Sequence, residues 1–302
     1  MANNLKKLYI GAICNRDLQV LEQIKIFLSK NYNIVLIDFM KHGLEAFNEK
    51  YFKKRLKKYP IVFLIVKLTT KKENQKVYDI VKSVAPNIST LNSLSSVQSC
   101  ESRKATFRFI AKNVKKVNIP KYYNTIDQAK QALTDGIKII VKLDSHNIPD
   151  LPKNDRILGI IKSPNELEFF IKGHSVDQLF FQQYLGKFDI INKVYVIGQW
   201  IVSIISHNRL QSTNLSPLEI IHIRTNIDDK LKRRIKRLGK KLGMSVYGVD
   251  FIETSNGPYI VDVNDFPSFR SIPEGISLIS DHIYNLIQIR VETVSKSVKI
   301  KS

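Results

Sequence analysis

Apolar positions in the first part of the chain alternate between two rhythms. Leu8–Ile13, Ile34–Phe39 and Ile61–Val66 are short continuous apolar runs, the pattern of strands buried on both faces. Between the first two, Leu18, Leu21, Ile24 and Leu28 recur at helical spacing, and further helices are expected over Leu44–Leu56 and Lys71–Ala85. Strand–helix alternation with short connections predicts a small open parallel sheet. Ser89–Ser102, rich in Ser and Asn, reads as the boundary that follows it.

Beyond that segment the elements become mixed. Arg103–Asn113 and Ile126–Leu133 read as helices, and Lys138–Leu143, Ile157–Ile161 and Leu179–Leu185 as strands, with a short helix at Asn165–Ile171. Ser145–Asp155 holds Asn147, Pro149, Pro152 and Asn154 and reads as a loop. Lys193–Ile197 and Trp200–Ile205 flank Gly198 as a hairpin, and Val246–Ile252 and Pro258–Val263 flank a turn at Asn256-Gly257. Leu231, Ile235, Leu238 and Leu242 form the apolar stripe of a helix whose other face carries Lys232, Arg233, Lys236, Arg237 and Lys240, a solvated face on the simplest reading. A last helix is expected from about Ser277 to Val294. The pattern implies an α/β chain of three parts, 1–95, 96–185 and 186–302, the latter two α+β and able to enclose a ligand.

Composition narrows the setting more than the chemistry. Hydrophobic residues make up 43 % of the 302, which argues against disorder. The longest apolar runs are far too short to span a bilayer, and Met1–Asn4 begins no signal peptide. Cys14 and Cys100 have no metal-ligand spacing, so a reducing, cytoplasmic location is expected. Lys and Arg outnumber Asp and Glu by 48 to 27, a formal net charge of +21. That field attracts polyanions, but a general coating of surface lysine gives the same balance, so charge selects a partner class weakly. No aromatic-basic motif for specific nucleic-acid recognition accompanies it.

The chemistry concentrates in Tyr247–Phe269. Asp250 sits in one expected strand, and Asp262 and Asn264 sit two apart in the next, hence on one face. The Asn256-Gly257 turn brings Asp250 opposite that pair. Two carboxylates and an amide carbonyl are hard oxygen donors suited to Mg²⁺, which takes few protein ligands and completes its shell with substrate phosphates. Lys142 ends an apolar strand, where a half-buried ammonium calls for a countercharge such as polyphosphate. Lys67, Lys193 and Gln182 read equally well as ordinary polar surface residues.

On these residues the chain resembles the ATP-grasp superfamily and, within it, the inositol trisphosphate 5/6-kinase family. Asp262-Val-Asn264-Asp-Phe266-Pro267 is similar to that family's Asp-x-Asn-x-Phe-Pro, where ATP-grasp ligases carry Glu-x-Asn. Val66-Lys67-Leu68-Thr69 resembles a His-Lys-Leu-Thr segment whose lysine faces substrate. Arg103, Lys142, Gln182-Gln183-Tyr184 and Lys193-Val-Tyr-Val-Ile-Gly198 match, in order, an arginine and a lysine on ATP phosphates, the hinge beside adenine, and a strand lysine on acceptor phosphate. The resemblance implies an ATP-grasp fold, with a small parallel-sheet domain followed by two α+β subdomains that sandwich ATP. It implies ATP and two Mg²⁺ ions held by Asp250, Asp262 and Asn264. Catalytic roles fall to Asp262, Lys193 and Lys142, and nucleotide binding to Arg103, Lys142, Gln182, Gln183 and Tyr184. Acceptor contacts fall to Arg16, Lys67, Arg156, Lys187, Lys193, Asn264, Ser268 and Arg270.

The implied activity is transfer of the ATP γ-phosphate to a hydroxyl of a soluble inositol phosphate by a monomer. The alternative is a carboxylate–amine ligase working through an acylphosphate; a binding protein with a degenerate site is a third reading. The departures are specific. Leu143–Asp155 has no glycine where the family has a Gly-containing loop, family histidines fall near Arg156 and Lys187, and Ser268 replaces a glycine. An expected arginine has only His207 and Arg209 nearby. The acceptor half is therefore altered but still cationic.

Overall fold

The computed structural model describes residues 7–299 except 71, 147, 149–155, 209, 211–214 and 217–218, with side chains to residue 289. Two compact units emerge. One takes the chain up to Val97, Ile197–Trp200 and everything from Phe266 onward; the other takes Gln98–Val196 and Ile201–Asp265.

The first unit begins β1 (Leu8–Cys14), α1 (Leu18–Tyr32), β2 (Ile34–Asp38), α2 (Glu49–Lys58), β3 (Ile61–Lys67), α3 (Asn74–Val84) and β4 (Ser89–Leu91). Its strands pair in parallel in the order β2-β1-β3-β4. The continuous apolar runs are the buried strands: Ile13, Leu64 and Val66 pack with Phe39, Phe52, Val77 and Tyr78. Helix α2 starts later than the apolar spacing suggests. The Asn48 side chain accepts from the Tyr51 N–H at 2.9 Å and caps it there, while Leu44–Phe47 forms a turn. The start expected for the next helix, Lys71, lies outside the described residues.

The two units divide within Ser89–Ser102, between Val97 and Gln98, yet the segment is structured. It holds β4 and α4 (Leu94–Cys100), with the Ser93 hydroxyl accepting from the Ser96 N–H at 3.3 Å. Its serines supply local hydrogen bonds, while Leu91 and Val97 are buried.

The second unit opens with α5 (Arg103–Asn113), capped by the Ser102 hydroxyl. Its first sheet joins β5 (Tyr122–Tyr123), β6 (Ile139–Leu143), β7 (Ile157–Ile161) and β8 (Leu179–Gln183), antiparallel in the order β5-β8-β6-β7. Helices α6 (Ile126–Thr134) and α7 (Pro164–Ile171) cover one face, burying Ile139, Val141, Leu179 and Phe181. The period of two then sets Ile140, Lys142, Phe180 and Gln182 on the opposite face.

The second sheet joins β9 (Ile190–Ile197), β10 (Trp200–His207), β11 (His222–Thr225), β12 (Val246–Thr254) and β13 (Gly257–Asp265), in the order β11-β10-β9-β12-β13. Helix α8 (Asp229–Leu242) and α5 cover one face, burying Val194, Val196, Val249 and Val263. Strand β11 is too short and too polar to be foreseen from periodicity. The chain then rejoins the first unit, where α9 (Gly275–Lys299) packs on α1; the Tyr32 hydroxyl donates to Asp281 at 2.5 Å. Among the described residues no helix is long and apolar enough to cross a membrane.

Candidate functional site

The two strands that carry the expected metal ligands form a hairpin. Gly257 takes φ 92° at its turn, a conformation open to glycine at no steric cost. The register sets Asp250 opposite Asp262 and Gly248 opposite Asn264. Val249 and Val263 point into the core beneath α8. Asp250, Asp262 and Asn264 therefore share the outer face. Lys193 on β9 alternates with buried Val194, so it emerges on that same face, half-buried. Among the described residues no group of three or more His, Cys, Asp and Glu is arranged to hold a metal; the set here is two carboxylates and an amide.

Asp262 is the centre of an ion-pair cluster. Its carboxylate lies 3.4 Å from Arg103 Nε and 3.5 Å from His146 Nδ1. Burial alone would raise its pKa, but His146, Arg103 and Lys142 outweigh it and hold the carboxyl well below the usual range. Arg103, at the first turn of α5, also donates to the carbonyls of Leu143 and, at 3.3 Å, Ser145. The backbone joins the two segments through an Arg103 N–H bond to the Asp144 carbonyl at 2.8 Å.

Lys142 is fully enclosed. It donates to Gln182 Oε1 at 2.8 Å and to the Val261 carbonyl at 3.0 Å. Burial depresses its pKa to about 8, against the pull of Asp262. Both acceptors are neutral, so the ammonium sits beside a carboxylate cluster without a direct anionic bond of its own. The Gln182 side-chain nitrogen is likewise buried and has no hydrogen-bond partner among the described residues. On the same sheet face, a cavity of about 790 Å³ is lined by Lys138, Ile160, Lys162, Tyr184, Leu185 and Leu210.

The remaining expected residues divide. Tyr184 borders that cavity, its N–H bonded to the Lys138 carbonyl at 2.9 Å, and exposed Lys187 stands at its rim. The Gln183 side chain turns to the sheet edge and accepts from the Lys121 N–H at 3.3 Å. Arg156 Nη1 donates to the His146 carbonyl at 2.5 Å, tying the end of the glycine-free loop to its beginning. The middle of that loop, with Asn147, Pro149, Pro152 and Asn154, lies outside the described residues, as does Arg209. His207 accepts from the Ile221 N–H at 3.3 Å.

The first unit gathers a second cationic group. Lys67 is buried at the end of β3, 3.1 Å from Asp17, with its ammonium over the Phe266 ring at 4.7 Å and donating to the Pro267 carbonyl at 3.3 Å. Burial lowers its pKa to about 8. Arg270 stands 3.4 Å from Asp17 on the exposed side, and the Arg16 charge acts on both Asp17 and Lys67. Ser268 follows in the same segment, partly exposed.

Sequence reasoning passed over His146 and Asp17. For Asp17 one signal was legible, since the buried cation Lys67 demands an anion; for His146 the sequence offers none.

No family model matches the sequence, and no curated protein matches it. Solved structures do. D-alanine–D-alanine ligase from Bacillus anthracis, complexed with ATP, is similar at TM-score 0.65 and 17 % identity, over 95 % of this chain and 99 % of that one. A RimK-domain ATP-grasp protein from Sphaerobacter thermophilus is similar at TM-score 0.61 and 16 % identity, over 91 % and 99 %. A RiPP-associated ATP-grasp ligase from Chryseobacterium gregarium, in complex with ADP and a leader and core peptide, is similar at TM-score 0.63 and 12 % identity, over 94 % and 97 %. With its parallel first sheet and two antiparallel sheets, the chain has the ATP-grasp fold.

Proposed function

We propose that the protein is a Mg-ATP-dependent enzyme of the ligase type, which phosphorylates a carboxylate and hands the activated acyl group to an amine. The observation that carries the ATP half is one arrangement within the second unit. Lys142 and Arg103 converge on Asp262, next to Asp250 and Asn264. Triphosphate chemistry needs cations for the phosphates and hard oxygens for their metal on one surface. The residues fit both: the oxygen donors suit Mg²⁺, and Lys142 and the Gln182 amide are buried polar groups to which a nucleotide would supply partners.

Asp250, Asp262 and Asn264 would hold the metal, two ions on the family pattern. Bound Mg²⁺ supplies neutralisation of the charge on the transferring phosphoryl group. Lys142 and Arg103 bind the donor phosphates and keep them in line. Gln182 and the cavity beside Tyr184 orient the base. Lys193 faces the acceptor from the same side as the carboxylates. The likeness to D-alanine–D-alanine ligase and to a peptide ligase supports the carboxylate acceptor.

A second reading, an inositol phosphate kinase, is favoured by the Asp262–Pro267 motif; cations that suit acceptor phosphates occur in each unit by itself, Lys67, Arg16 and Arg270 beside Ser268 in the first, and Arg156, Lys187 and Lys193, with Asn264, in the second. Either reading has a monomer acting in the cytoplasm on a small anion, with no specific nucleic acid. Incubation with Mg-[γ-³²P]ATP separates them. With a panel of amino acids and peptides plus hydroxylamine, a ligase gives hydroxamate and free labelled phosphate. Label retained on an inositol phosphate instead overturns the ligase reading. Calorimetry showing no uptake of Mg-ATP overturns both.

A further inference from the structure

A second cavity lies along β5, on the side where α6 covers the first antiparallel sheet, and all its lining residues belong to the second unit. Its volume is about 680 Å³, within the range of small-molecule sites. Tyr123 pairs with Phe181 and packs with it under α6, so the cavity is set apart from Lys142 and Gln182, which occupy the opposite face. Ile119, Pro120, Ala132, Ile137 and the Tyr123 ring give it apolar walls.

Two opposite charges line it as well. Asp135 ends α6, where its N–H bonds the Gln131 carbonyl at 2.9 Å and its carboxylate accepts from the Gln131 amide at 2.8 Å. A helix C-terminus favours a cation, yet an acid stands there, in a chain of net charge +21, and forms no ion pair among the described residues. A local rule broken without compensation inside the fold points to a partner from outside it. The Tyr123 hydroxyl is buried and has no hydrogen-bond partner among the described residues; burial and then the Asp135 charge raise its pKa, so the carboxylate's field reaches it. Lys121, exposed, supplies the positive charge of the lining.

We propose that this cavity is a binding site for a small zwitterion with an apolar body, an apolar amino acid being the simplest. The ligand's ammonium meets the Asp135 carboxylate and the Tyr123 hydroxyl, its carboxylate meets Lys121, and its side chain lies against Ile119, Pro120, Ala132 and Ile137. The site is separate from the nucleotide face and does not rest on the ligase reading. A phosphorylated ligand would be repelled by Asp135, and a bare amine by Lys121. A molecule carrying both charges answers the whole lining, with the apolar walls for affinity and the two charges for selectivity.

The test uses the full chain and L-phenylalanine, read by ligand-observed NMR, beside phenethylamine, which lacks the carboxylate, and 3-phenylpropionate, which lacks the ammonium. L-Phenylalanine should bind with a Kd of about 1 mM or below, and each analogue about tenfold more weakly. Asp135→Asn should weaken L-phenylalanine about tenfold and leave 3-phenylpropionate unchanged. Lys121→Gln should weaken L-phenylalanine about tenfold and leave phenethylamine unchanged. Both side chains are exposed, so folding and Mg-ATP binding should be retained, and the losses separate this cavity from an acceptor site on the nucleotide side. No binding of L-phenylalanine up to about 10 mM, equal binding of the analogues, or binding that either substitution leaves untouched overturns the proposal.

Discussion

Replacing Lys142 with Met isolates the cost of holding a cation in the nucleotide face. The wild-type ammonium is buried between Gln182, Val261 and the Asp262 cluster, and its pKa falls from 10.5 to about 8. Below pH 8 both folded and unfolded chains carry the proton, and the folded protein bears the desolvation penalty in full. Between about 8 and 10.5 the unfolded chain still holds the proton while the folded protein has released it, so stability rises with pH through that window. At about 1.4 kcal/mol per pKa unit the rise is about 3 kcal/mol. Met has similar length and no charge, so the variant lacks the rise. Its own loss is nearly independent of pH: the Gln182 and Val261 oxygens lose a donor, at about 1–3 kcal/mol.

The variant should therefore match the wild type to within about 2 kcal/mol at pH 7 and fall behind by about 3 kcal/mol more by pH 10.5. Urea unfolding followed by circular dichroism measures this, and taking the difference between the two proteins cancels the contribution of Lys67, whose pKa burial also lowers to about 8. Nucleotide binding at pH 7 should drop at least about tenfold, because the lysine is kept for phosphate rather than for the fold. A stability difference that stays flat from pH 7 to 10.5 refutes the buried-charge reasoning.

Other expectations follow from neighbouring geometry. Asp262→Asn keeps the shape but removes the carboxylate charge; folding should survive with a loss of about 1–3 kcal/mol, since Arg103 retains carbonyl acceptors, while calorimetric Mg-ATP uptake disappears. Lys193→Ala should raise the acceptor KM and leave ATP affinity unchanged, steady-state kinetics being the check. Gly239→Ala, inside α8, would drive a Cβ to 2.2 Å from the Tyr247 ring, whose hydroxyl donates to the Ile235 carbonyl at 2.8 Å. Despite the better helix propensity of Ala, overpacking should cost about 1–3 kcal/mol in thermal or chemical unfolding.

What the chain determined by itself is what depends on short-range pattern. Continuous apolar runs spaced by helical stripes dictated the parallel sheet of the first unit. The period of two dictated that Asp262 and Asn264 share a face; a register shift between Asp250 and Phe251, which no local pattern announces, is what sets Asp250 opposite Asp262 rather than Val261. Ser89–Ser102, read as a boundary, does hold the division between the two units, but its polarity concealed β4 and α4, where Ser93 bonds the Ser96 N–H and Leu91 and Val97 are buried. Tertiary structure alone decided which charges meet. Arg103 and His146 reach Asp262 from segments more than a hundred residues away, and Asp17, just past β1, meets Lys67 at the end of the neighbouring β3. Nothing in local periodicity encodes such pairs; they arise because a buried charge is tolerated only where the fold delivers its partner.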